Sequence, residues 1–393
     1  MNDDSAGPLI RAVVLVAVFL AGFNMRAALV AAMPLLEVMR VDLSTNRAVI
    51  GLLTTLPVLI MGLAAPLAPK VAAKLRIEVG LALTMVLVAA SALLRFWGGL
   101  TVLFATAAFL GIAIAIGQPL VMGFTKARFA GNVAIVTGVY AAGVNVGAAA
   151  AARSALPIYQ WSDDWRASLA VWALPALATG VLWIALPIRS TVEQRRPGEV
   201  GVWRIPKAWA LSVFFAITVL VYYSVLTWLA PAFIDRGWSP AQAGILLSSF
   251  SLLQLPGTLV FPWLAGRTGT YAPWLVATIG LTVIGLLMAA SGDWVSPWLI
   301  VGSLGLGTGG MFPLCLALPV ANAPDTRTAA ALSAMSFTVG YAAGAVGPPL
   351  VGWLRDATGG FPGAFVLLAV LTAAQLLLVP RVLPAKALIH PAR

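Results

Sequence analysis

Twelve apolar stretches, each near or above the ~20 residues that a helix needs to cross the hydrocarbon of a bilayer, leave this chain almost no choice of fold. In the first half they run from Leu9 to Leu36, Val49 to Leu67, Ile77 to Leu94, Thr101 to Phe124, Val133 to Ala152 and Ala167 to Ile188. In the second they run from Ala208 to Ile234, Ala243 to Leu264, Tyr271 to Ala290, Trp298 to Ala321, Ala329 to Leu354 and Phe361 to Val379. With 61% hydrophobic and 9% charged residues, the polar surface is too small to cover a soluble globule. A β-barrel would alternate in strands of about ten residues, and these runs do not. The expected fold is therefore an all-α integral membrane protein of about twelve transmembrane helices. The longest polar interruption, Arg189 to Lys207, divides it into a six-helix bundle at 1–188, a cytoplasmic linker at 189–207, and a second bundle with a short cytoplasmic tail at 208–393.

The two bundles read as copies of one another. Leu110-Gly111 and Gln118-Pro119-Leu120 recur as Leu304-Gly305 and Phe312-Pro313-Leu314, roughly 195 residues further on. Thr137 and Tyr140-Ala141-Ala142-Gly143 return as Thr338 and Tyr341-Ala342-Ala343-Gly344. Ser44, Ala48 and Leu52-Leu53-Thr54-Thr55 are echoed by Ser239, Ala243 and Leu246-Leu247-Ser248-Ser249. A membrane chain duplicated in halves is the construction of many secondary transporters, in which two pseudo-symmetric bundles rock about a site between them. Gly143-x-x-x-Gly147 and Gly340-x-x-x-Gly344 let helix backbones approach closely, either as static packing or as a sliding surface between the halves. Pro119 and Pro313, at matched positions, each remove a backbone hydrogen bond and are expected to bend helices four and ten.

The formal charge of +11 could suggest a nucleic-acid partner, but its distribution points elsewhere. With both termini cytoplasmic, most of the 24 basic residues fall on inner loops and tails, among them Lys70, Lys74, Arg76, Lys126, Arg128 and Arg267. Arg95, Arg166 and Arg355 fall at outer ends. This is the positive-inside pattern of an inner-membrane protein whose partner is the lipid bilayer, with no nucleic acid. The polar start, with Asp3 and Asp4, lacks the basic region of a cleaved secretory signal. Cys315 is the only cysteine and His390, in the tail, the only histidine, so neither a disulfide nor a metal cluster is expected. No P-loop or nucleophile–base pair is visible, so neither an enzyme nor an ATP-driven pump is expected, and no cofactor is implied. A sensor would add a soluble output domain, for which the loops leave no room.

Arg26 is the leading candidate for solute recognition. It lies near the middle of the first helix, where an arginine costs about 2.5–3.5 kcal/mol to insert. The 13 acidic residues fall in the tail or near loops and helix ends, so the sequence offers this guanidinium no mid-membrane carboxylate. Its planar fork suits a carboxylate-like anion; the competing reading is that it bonds helix-end carbonyls or snorkels outward. Aligning Pro34 with Pro231 sets Arg26 opposite Tyr223, so Tyr222, Tyr223, Trp228 and Phe312 are expected as an aromatic wall offered by the second half. Gln118, beside the proline of helix four, is expected to orient the solute. Asn24 sits about 200° from Arg26 around the helix and either lines the site or bonds a neighbouring helix. Tyr140 and Tyr341 are either gates or packing shapes carried by the duplication.

At this point the chain resembles the major facilitator superfamily, and within it the cyanate permease and nitroimidazole transporter group. The resemblance rests on Gly22-Phe23-Asn24-Met25-Arg26, Gly51-Leu52-Leu53-Thr54-Thr55-Leu56-Pro57, Phe312-Pro313-Leu314, Val339-Gly340-Tyr341, Gly347-Pro348 and the Gly352 to Gly360 segment. It implies rocker-switch alternating access, a small-molecule substrate held within one chain, and a functional monomer. The expected substrate is a small monoanion such as cyanate, with efflux of neutral aromatic compounds such as nitroimidazoles as the alternative. The superfamily's acidic residue in the loop after helix two is replaced by Pro69-Lys70, and in the second half by Gly266-Arg267, which implies a weakened or replaced loop latch. Where the family tends to carry a glutamine before the Gly-Tyr of helix eleven, this chain has Ser336-Phe337.

Overall fold

The computed structural model describes residues 8–45, 47–187 and 201–384. Every apolar run becomes helix, because in hydrocarbon each backbone N–H and C=O has to find its partner inside the segment itself. The first half holds α1 (Pro8–Val30), α2 (Arg47–Ala64), α3 (Ile77–Leu94), α4 (Leu100–Arg128), α5 (Val133–Ser162) and α6 (Ala173–Ala185). The second holds α7 (Pro206–Ile234), α8 (Pro240–Thr268), α9 (Ala272–Ala290), α10 (Pro297–Asn322), α11 (Thr326–Thr358) and α12 (Pro362–Ala374). Among the described residues, ten helices are long and apolar enough to cross a membrane, and Thr55–Ala64 and Pro362–Leu377 are two shorter apolar helices. No strand occurs among the described residues.

The chain divides into two compact units. One comprises Met1–Ala130, Val139–Val200 and Pro324–Ala334; the other comprises Gly131–Gly138, Gly201–Ala323 and Met335–Arg393. Most of the expected linker lies outside the described residues, as do Asp3, Asp4 and His390. Its described end holds the turn Val202–Arg204 and the start of α7 at Pro206. Lys70 and Arg267, expected in loops, are helical instead. Lys70 lies on the short helix Leu67–Lys74, and Arg267 lies in the last turn of α8 with its guanidinium 5.4 Å from the Trp263 ring.

In the first unit, α1 and α5 meet backbone to backbone. A Cβ on Gly143 would lie 2.9 Å from the carbonyl carbon of Phe19, and one on Gly147 would lie 2.8 Å from that of Phe23. In the second unit α11 meets α7 both ways: Gly340 faces the Phe215 ring and Gly344 faces Val219 and Tyr223, while a Cβ on Gly347 would lie 2.7 Å from the Leu220 carbonyl oxygen. These glycines therefore contact helices of their own unit.

Pro313 removes the N–H that would otherwise bond the Gly309 carbonyl, and the Thr258 hydroxyl of α8 donates to that oxygen instead, at 3.0 Å. Each unit also carries an ion pair beside its first helix. Arg166 Nη2 lies 3.0 Å from Asp42 in one, and Arg355 Nη2 lies 2.9 Å from Asp235 in the other. Trp165 Nε1 donates to the same Asp42 oxygen at 2.9 Å. That bond, with the charge and hydrogen bond of Arg166, holds the Asp42 carboxyl below its ordinary range.

Candidate functional site

Three successive residues of α1 point three ways, as the ~100° per residue of a helix requires. Asn24 is buried, and its amide donates at 2.8 Å both to the Leu20 carbonyl and to the Thr179 hydroxyl of α6. Of its two sequence readings, the structure places it in the helix–helix bond. Met25 is buried against Gly117 of α4, and its sulfur receives the Tyr140 hydroxyl at 3.8 Å. Arg26 is half-buried and has a partner within the protein, so the unpaired cation suggested by the sequence is not what the structure holds. Gln118, next to Gly117, is buried and also partnered. The first unit thus brings Tyr140 of α5 and Gly117 of α4 together on Met25, between Asn24 and Arg26 of α1.

Two charged residues are buried where sequence reading placed them at helix ends. Arg95, in the turn after α3, is 5% exposed; its Nη1 donates to the Ala28 carbonyl at 3.0 Å, and its Nε reaches the Thr106 hydroxyl at 3.4 Å. It closes the carbonyl end of α1, where a cation is favoured. The signal was available: Arg95 has apolar residues on both sides and no acidic neighbour. Glu78, 2% exposed in the first turn of α3, has Arg76 Nε at 3.8 Å. An acid there also answers the positive end of the helix dipole.

The aromatic residues of the second unit fall into three levels along α7. Phe312 of α10 lies 6.3 Å from the Phe215 ring, which meets Phe337 at 5.3 Å and Tyr341 edge-on at 6.0 Å. Tyr222 and Tyr223, half-buried, meet each other edge-on at 5.3 Å. Trp228 donates its indole N–H to the Pro348 carbonyl at 2.7 Å and packs 5.5 Å from Phe361. Phe215 and Trp228 are separated by about 20 Å of helix rise. The structure therefore does not bring Trp228 to Phe312, and the single wall expected from sequence is instead a tyrosine pair and a phenylalanine–tyrosine cluster, with Trp228 bracing α7 to α11. Tyr341 belongs to that cluster and is buried, as Tyr140 is in the first unit. Pro119 and Pro313 both lie inside continuous helices. No group of His, Cys, Asp or Glu able to hold a metal occurs among the described residues.

The sequence profile of the Major Facilitator Superfamily matches residues 14–236 and 211–391. The chain belongs to the major facilitator superfamily. Its relatives there include the 2-nitroimidazole transporter of Escherichia coli, 32% identical over 92% of this chain and 93% of that protein. The cyanate transport protein CynX of the same organism is 29% identical over 88% of this chain and 91% of its own length. In fold, the chain superposes on the E. coli fucose:proton symporter FucP with a TM-score of 0.75 at 15% identity, covering 93% of this chain and 97% of that one. As a superfamily member, the chain is a multi-pass membrane transporter of small molecules and not an enzyme.

Proposed function

We propose that this superfamily member moves a small monoanionic solute, cyanate-like in size and charge, across the inner membrane by rocker-switch alternating access, as a monomer with both termini cytoplasmic. The observation that carries the reading is Arg26: a half-buried guanidinium well inside an apolar helix, next to Met25, whose sulfur receives the buried Tyr140 hydroxyl. A planar cation with fixed donors suits a compact anion, and hydrogen bonds to charged groups are the stronger ones in a low-dielectric site. The named function of CynX, a relative over most of the chain, supports the same class.

A second reading is efflux of a neutral aromatic compound, with Arg26 as a hydrogen-bond donor. The ring cluster of Phe215, Phe312, Phe337 and Tyr341 and the likeness to the 2-nitroimidazole transporter favour it. Counterflow into proteoliposomes separates the two, with labelled cyanate and a competitor panel of small anions and nitroimidazoles, for the intact protein beside Arg26→Gln. Saturable cyanate uptake that falls at least about tenfold in the variant supports the anion reading. Nitroimidazole uptake that survives the substitution, without cyanate uptake, replaces it with the second.

A further inference from the structure

Arg26 stands on a helix that is anchored twice beside it, and the two anchors face different neighbours. Asn24 and Met25 project about 100° apart around α1, as adjacent helical residues must. Asn24 is bonded to Thr179 of α6, while Met25 fills the space over Gly117 of α4. A Cβ on Gly117 would fall on the Met25 methyl and lie 2.5 Å from Cγ2 of Thr84 on α3. One contact alone would leave α1 free to turn about it. Two contacts at different angles around the axis fix its rotation, and with it the direction of Arg26, which leaves the helix about 100° further round.

The Asn24 amide has only one way to sit. The Thr179 hydroxyl donates to the Pro175 carbonyl at 2.8 Å, so towards Asn24 its oxygen can only accept, as the Leu20 carbonyl does. Asn24 therefore turns its N–H₂ to both, and its Oδ1, in a residue 1% exposed, has no donor among the described residues. A buried carbonyl oxygen without a donor destabilises a fold. A leucine of similar shape would avoid that cost, so stability alone does not explain an asparagine at this place.

The second unit supplies a contrast. At the spacing that carries Leu110-Gly111 to Leu304-Gly305, Thr84 corresponds to Thr278 and Gly117 to Met311. There α10 fills the place with its own methionine, whose sulfur lies 3.8 Å from the Thr278 hydroxyl. Tyr222 and Tyr223, at the places of Met25 and Arg26, both stay half-buried. The unit that carries the cation is the one whose α4 makes room for the residue beside it.

We propose that Asn24 with Thr179, and Met25 with Gly117, are positioning residues that set the rotation of α1 and so aim Arg26 at the solute. The proposal rests on the reading of Arg26 as the anion contact.

The test combines cysteine reactivity with counterflow, both on the full-length protein. Arg26→Cys introduces a thiol whose rate of modification by a methanethiosulfonate reports where residue 26 points, with no solute present. The buried Cys315, distinguished by peptide mass, reports general loosening. Asn24→Leu, Thr179→Val and Gly117→Ala, each added to Arg26→Cys, should change the rate at residue 26 at least about threefold while Cys315 stays unreactive. With Arg26 in place, the same substitutions should raise the KM for cyanate about tenfold at an unchanged maximal rate, and Asn24→Leu should leave the unfolding midpoint no lower. Asn24→Leu combined with Thr179→Val should do no more than either alone, because both break one bond. A rate at residue 26 that is unchanged in all three variants overturns the proposal. A rate that changes only together with labelling of Cys315 overturns it too, by making these contacts ordinary packing. Absence of cyanate counterflow in the intact protein overturns the anion reading instead, and the labelling rates then decide by themselves whether these residues aim residue 26.

Discussion

Replacing Gly143 by alanine puts a methyl group into the backbone of another helix. Its Cβ would lie 2.9 Å from the carbonyl carbon and 3.1 Å from the Cα of Phe19, with the carbonyl oxygen nearer still. Ordinary contact begins at 3.4 Å, so α1 and α5 have to separate by at least about 0.5 Å. The obstruction is main chain and cannot swing aside. Overpacking costs typically about 1–3 kcal/mol, and a rigid partner sets this case near the upper figure. Alanine's better helix propensity returns up to about 1 kcal/mol, leaving a net loss of about 2 kcal/mol. The same substitution at Gly280 of α9 meets nothing within 4 Å and should gain about 0.5–1 kcal/mol. Equilibrium unfolding of the two variants in bicelles should then differ by nearly 3 kcal/mol, roughly a hundredfold in the unfolding constant. Equal stabilities for Gly143→Ala and Gly280→Ala would refute the claim that backbone contact at this glycine holds α1 to α5.

Thr258→Val removes the hydroxyl that serves the Gly309 carbonyl opened by Pro313, at nearly constant volume; unfolding measurements should show a loss of about 1–3 kcal/mol, which Thr258→Ser restores. Asp42, depressed by its Trp165 and Arg166 bonds, contributes stability above the ordinary carboxylate pKa and loses it as pH falls through the depressed value. The unfolding midpoint of Asp42→Asn should therefore vary less with pH than that of the intact protein below about pH 4, and the difference should shrink in high salt because the pair is exposed.

The helices were legible because hydrocarbon enforces them: a run of about twenty apolar residues has no other way to satisfy its backbone. The directions of individual side chains were not. Hydropathy sees Arg95 as a charge at a helix end; its burial depends on Ala28 and Thr106, from two other helices, converging on it. Asn24 could be placed off the Arg26 face by helix geometry, but its partner Thr179 is 155 residues away and unremarkable in sequence. Gly143 and Gly147 announced close packing without saying against what.

The two halves agree where they hold themselves together and differ where they are polar. Each closes its first helix on its fifth through glycines, Gly143 in one half and Gly344 in the other, and each carries a carboxylate–arginine pair on the chain that follows its first helix. Yet Gly143 meets the Phe19 backbone, whereas its counterpart Gly344 meets the Val219 and Tyr223 side chains. The first half carries Arg26 and Gln118 where the second carries tyrosines and Phe312. A duplicated bundle has to keep the contacts that let each copy fold, because a one-ångström error in helix packing already costs a sizeable part of its stability. It has no such reason to keep two copies of a binding surface. On the proposed reading of Arg26 and Gln118 as solute contacts, substitutions at the asymmetric residues should change affinity at little cost in stability, whereas substitutions at the repeated glycines should do the reverse.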